Sequence, residues 1–112
     1  MREGSRMRPP RGAGIIALYK DQRYQDNERL YVCLVRKTSG VDSFPKGHRH
    51  HWKGENVFTA AARHWRHETG LSMSRLNLLD QAHVDDHGYG CRYLIANCTH
   101  PDEKSREQMY EI

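Results

Sequence analysis

The chain has 112 residues, which bounds it at one domain with a modest core. Apolar residues make up 37% and mean hydropathy is −0.94, and no apolar run approaches the roughly 18 residues of a membrane-spanning helix, so a membrane association is not expected. The net charge of +4 favours anionic partners such as phosphates or nucleic acid, although a generally basic soluble protein carries a charge of this size too.

The elements follow in chain order. Residues 1–11 are basic, lack an apolar core of the secretory kind, and read as a flexible N-terminal arm. Residues 13–19 (AGIIALY) and 30–36 (LYVCLVR) are rich in apolar, β-branched and aromatic side chains and predict two strands, joined by a polar connection. Residues 38–42 predict a turn. Pro45 holds Ser43-Phe44 extended. Residues 57–69 predict the one strong helix. Asn56 caps its start, Gly70 ends it, and Phe58, Ala61, Ala62 and Trp65 form an apolar stripe expected to be buried. Two further strands, 76–85 and 90–98, are joined by a HGYG hairpin turn, and residues 100–106 form a polar loop. Residues 110–112 read as the start of another strand. Cys33, Cys91 and Cys98 form no CxxC pair; an odd count without a signal peptide points to reduced thiols in an intracellular compartment, cytoplasm or organelle matrix.

The chemistry concentrates in FPKGHRHHWKGENVFTAAARHWRHETGL, residues 44–71. Seven residues separate Gly47 from Glu55, and seven more separate Glu55 from Arg63; Trp65, Glu68, Gly70 and Leu71 follow at fixed positions. This stretch resembles the signature of the Nudix hydrolase superfamily, whose members cleave nucleoside diphosphates linked to other groups. The Gly47–Glu55 spacing is two residues longer than the family pattern, and His64 and His67 stand where the family has metal-binding glutamates.

The resemblance implies an α/β fold, a Nudix-type α/β/α sandwich with a mixed sheet, over residues 12–112, short at its C-terminus relative to the family. It implies Glu55, Arg63 and Glu68 as catalytic positions, with Arg63 pairing Glu55 to fix the loop on the helix. The metal set it implies is the Gly47 carbonyl, His64, His67 and Glu68, and the substrate-binding set is Lys46, Arg49 and Tyr89. The family's divalent metal is Mg²⁺ or Mn²⁺. Imidazole nitrogens favour Mn²⁺ or Zn²⁺ over Mg²⁺, which prefers oxygen; the alternative is no metal, with the site inactive. Residues 64, 67 and 68 should share one helix face opposite the Phe58/Trp65 stripe.

Other readings remain for single residues. An exposed loop cation is the plainer account of Arg49, and hairpin packing the plainer account of Tyr89 and Tyr93. His48, His50 and His51 beside Trp52 either face water or, with Arg49 and Lys53, contact nucleic acid. Two functions are therefore open. One is hydrolysis, by metal-assisted water attack, of a diphosphate linkage in a nucleoside diphosphate derivative such as a dinucleoside polyphosphate; the PKGH turn is similar to that of the family's branch acting on dinucleoside polyphosphates or diphosphoinositol polyphosphates. The other is a weak or inactive Nudix fold serving as a binding or structural module, with a protein or RNA partner completing its C-terminal edge.

Overall fold

The structure, a computed structural model, describes residues 9–21, 29–98 and 109–111. The expected arm up to residue 8, part of the connection after the first strand and the loop at 100–106 lie outside the described residues. Strand β1 (Gly12–Asp21) is the centre of a mixed sheet that also contains β2 (Arg29–Cys33), β6 (Leu76–Asp86), β7 (Cys91–Cys98) and β8 (Met109–Glu111), in the order β6-β7-β1-β2-β8. It runs parallel to β7 along one edge, from Gly12 to Leu18. Its other edge is divided. Leu18 to Asp21 pair antiparallel with β2, and Gly12 to Gly14 pair antiparallel with β5 (Lys46–His48). Strand β6 pairs β7, and β8 pairs β2. The α/β class and the mixed sheet agree with the expectation.

The 30–36 segment is broken at Leu34. Its second half, β3 (Val35–Arg36), turns away to form a small hairpin with β4 (Asp42–Ser43), closed by a bidentate Arg36–Asp42 pair. β5 was not anticipated as a strand. Its pairing depends on close approach of two backbones: a Cβ on Gly14 would come within 2.7 Å of the Lys46 Cβ, and one on Gly12 within 2.9 Å of the Gly47 carbonyl oxygen. Glycine at these two positions lets Pro45–His48 lie directly on β1.

Helix α1 (Val57–Thr69) has the predicted bounds and caps. The Asn56 side chain accepts from Thr59 N at 2.8 Å, and Gly70 takes a left-handed conformation with its N–H bonded to Arg66. Its Ala60, Ala61 and Trp65 pack on Ala13, Ile15 and Ala17 of β1, Cys33, Leu71 and Ala96. The small alanines on both sides bring the helix close to the sheet, and Trp65, 1% exposed, fills the space left. Phe58 is a correction. It lies in the same helical arc, yet it is 51% exposed. The first turn emerges from the preceding loop, and Val57 rather than Phe58 reaches the core there. The three cysteines are buried and form no disulfide; burial, with Cys98 nearby, pushes the Cys33 thiol up to about 12. Among the described residues no helix is long and apolar enough to cross a membrane.

Candidate functional site

The site forms where β5, the following loop and α1 meet. The loop carries a 3₁₀ turn (His51–Lys53) that ends at Gly54. Glu55 closes it. Its Oε1 accepts from His50 N at 2.8 Å and from Arg63 Nη2 at 2.9 Å, and its Oε2 accepts from Arg63 Nε at 2.9 Å. Arg63 Nη2 also donates to the His48 carbonyl at 3.0 Å, so one guanidinium joins loop, strand and helix. The expected Glu55–Arg63 ion pair is thus present, with side chains 10% and 33% exposed. The Arg63 hydrogen bonds, helped by the His50 N–H, lower the Glu55 carboxyl to about 2.

His64 and Glu68 are not opposite the Trp65 row, as expected, but beside it, over β5. Their spacing of i and i+4 puts them one turn apart on the flank that meets the Lys46-Gly47 backbone. The His64 ring rests on Gly47: an added Cβ there would overlap Cε1, Nδ1 and Nε2. Its Nε2 lies 2.8 Å from the His48 carbonyl oxygen. A carbonyl only accepts, so this nitrogen carries its proton and donates. Nδ1 faces Glu68 Oε2 at 3.7 Å, and Glu68 Oε1 accepts from Lys46 N at 3.3 Å. His67 is exposed on the neighbouring row.

On the other side of β5, a cleft of about 240 Å³ is lined by Gly12, Lys37, Lys46, Gly47, His48, Tyr89 and Cys91. The Lys46 ammonium sits 5.4 Å from the centre of the Tyr89 ring, which is itself 74% exposed. Burial lowers the pKa of Lys46, and Lys37, at hydrogen-bonding range, lowers it further. Two cationic side chains therefore converge on one cleft. Sequence reasoning passed over Lys37, because no motif marks it. It reaches the cleft from the β3–β4 hairpin, beyond the break at Leu34. Arg49 takes a different place: its Nε donates to the Pro10 carbonyl at 2.9 Å and its Nη1 to the Glu55 carbonyl at 2.8 Å. Tyr93 is buried and meets Phe44 edge-on at 5.6 Å.

The chain's fold has counterparts among solved structures. An Ap4A hydrolase from C. elegans superposes with a TM-score of 0.67 over 93% of this chain and 80% of that one, at 19% identity. The chain has the Nudix fold. A Nudix hydrolase from M. smegmatis, RenU, matches at 0.61 over 90% of this chain and 64% of its own, again at 19% identity. A mutT/nudix family protein from Listeria innocua matches at 0.54 over 95% and 80%, at 15% identity. No family profile matches the sequence, and no curated protein matches it. The likeness is one of fold.

The donors this Nudix fold offers do not fit the divalent ion that the resemblance implies. Mg²⁺ takes about six ligands, mostly oxygens, near 2.1 Å. Here the Gly47 carbonyl is turned towards β1, against Gly12. His64 Nε2 is protonated and bonded, and its ring covers Gly47. His64 Nδ1 and one oxygen of Glu68 remain as a pair, and among the described residues no group of three His, Cys, Asp or Glu side chains converges as a metal site.

Proposed function

We propose that this Nudix fold binds a diphosphate-containing nucleotide in the Lys37–Lys46–Tyr89 cleft and does not turn it over by a magnesium-dependent route. The observation that carries the reading is the pair of lysines held together beside an exposed ring. Bringing two ammonium groups into one cleft is unfavourable, and an anion with several oxygens relieves the repulsion. Tyr89 offers a π-face for a base. The similarity to an Ap4A hydrolase supports a nucleotide as ligand, and the packing of His64 on Gly47 supports binding without family-type hydrolysis.

The test has two arms. Formation of mononucleotide products (AMP with ATP, or ADP, from Ap4A; AMP from ADP-ribose and from ADP), resolved by chromatography in parallel with Mg²⁺, Mn²⁺ and Zn²⁺, should stay at the blank rate. ADP binding should weaken about tenfold or more in Lys37→Ala and in Lys46→Ala, as expected for loss of a hydrogen bond from a charged donor worth roughly 1.5 kcal/mol. Efficient magnesium-dependent cleavage, or ADP affinity indifferent to both lysines, overturns the proposal.

A further inference from the structure

The loop between β5 and α1 presents a second surface, apart from the lysine cleft. Between residues 43 and 67 the chain has five Lys or Arg, five His and a single acidic residue, Glu55. That carboxylate is held by Arg63 and the His50 N–H. No acid of this segment is left to offset Lys53 and the imidazoles at the surface. Trp52 stands at the apex and is 65% exposed, whereas the chain's other tryptophan, Trp65, is 1% exposed.

This indole is held in place. His50 lies against it at 4.9 Å with a tilt of 35°, and His51 meets it edge-on at 5.2 Å. The backbone beneath is closed by its own bonds: Lys53 N and Glu55 N both donate to the His50 carbonyl, at 3.0 and 3.2 Å, and Gly54 N donates to that of His51 at 3.0 Å. Gly54 has a φ of 71°, which an L side chain rarely adopts. Arg49 ties the loop to Pro10 and to the Glu55 backbone. A rigid aromatic ring loses little entropy on contact, and its cationic surroundings select an anionic partner.

We propose that the His50–Lys53 turn is a docking site for single-stranded nucleic acid, with one unpaired base stacked on Trp52 and the adjoining phosphates drawn to Lys53 and its neighbours. Every base has a π-face, so the contact tolerates sequence, and a duplex offers no open face to a protruding ring. The inference stands apart from the nucleotide reading, because Trp52 and the His50 and His51 rings against it are not among the residues that line the cleft.

The two tryptophans supply the assay. Titrating a short single-stranded oligoadenylate into the full chain should change the emission of Trp52 while Trp65 acts as an internal reference for folding. Trp52→Ala should weaken binding of a fluorescein-labelled oligonucleotide about fivefold to a hundredfold, the loss of one stacked base, and Trp52→Phe should recover most of it. Lys46→Ala, which weakens ADP, should leave the emission change intact. An unchanged affinity in Trp52→Ala with Trp65 emission native, or a duplex of equal length competing as well as the single strand, overturns the proposal. So does loss of the response in Lys46→Ala.

Discussion

Gly47→Ala is the sharpest probe of how His64 sits. Gly47 has no left-handed φ, so alanine meets no backbone strain there, and its cost comes from contact alone. The added Cβ would overlap three ring atoms of His64, a conflict that no shift of a few tenths of an ångström relieves. The ring must leave. It is largely buried, with 15% of the side chain exposed, and it gives up the 2.8 Å bond to the His48 carbonyl. A neutral hydrogen bond contributes about 0.5–1.5 kcal/mol, and overpacking a filled site costs about 1–3 kcal/mol, so Gly47→Ala should destabilise by about 1–3 kcal/mol. His64→Ala removes the obstacle. The His48 carbonyl keeps Arg63 Nη2 at 3.0 Å, so that variant should cost only about 1 kcal/mol or less. In the His64→Ala background, Gly47→Ala should become neutral or stabilising by about 0.4–1 kcal/mol, because alanine restricts the unfolded chain. Urea unfolding of the four proteins of this double-mutant cycle, followed by tryptophan emission, measures the coupling. An equal cost of Gly47→Ala in both backgrounds would refute the packing of His64 on Gly47.

Three further outcomes follow from the same contacts. Trp65→Ala should cost about 3–5 kcal/mol, since the side chain is buried in the core it shares with Ala13, Ile15, Ala61 and Leu71; an unchanged urea midpoint would contradict the orientation of α1. The Glu55 carboxyl is lowered from 4.5 to about 2 on folding, so its contribution is complete above about pH 4.5 and fades as pH falls towards 2; Arg63→Ala should flatten the stability–pH curve within that window and leave its shape above pH 5 unaltered. His64→Glu with His67→Glu clears the ring from Gly47 and restores two oxygen donors, so the double variant should gain a magnesium-dependent rise in melting temperature that the unmodified chain lacks; equal responses in the two proteins would count against the account of the donors.

Features written in local patterns were legible in the sequence. Asn56, the alanine and tryptophan spacing and Gly70 delimit α1 to the residue because caps and periodicity act within one turn of chain. The Glu55–Arg63 pair follows from the spacing in the resemblance to the family. What escaped depends on partners distant in sequence. β5 is three residues long and exists only because Gly12 and Gly14 accept it. Phe58 has the right helical angle, but its burial depends on what lies beneath the first turn. His64 reads as an exposed donor beside Glu68 until β5 supplies the Gly47 surface and the His48 carbonyl on which it settles. Lys37 reaches the cleft from the β3–β4 hairpin beyond the break at Leu34, a tertiary event without a local signal.

The central claim is that a diphosphate is held by lysines rather than through a divalent ion. Calorimetric titration of Ap4A into the full chain, first with excess EDTA and then with millimolar Mg²⁺, tests it most directly. Binding with the same affinity in both buffers, weakened by Lys46→Ala, is the predicted result. Binding seen only with Mg²⁺, or strengthened by it more than about tenfold, would contradict the account.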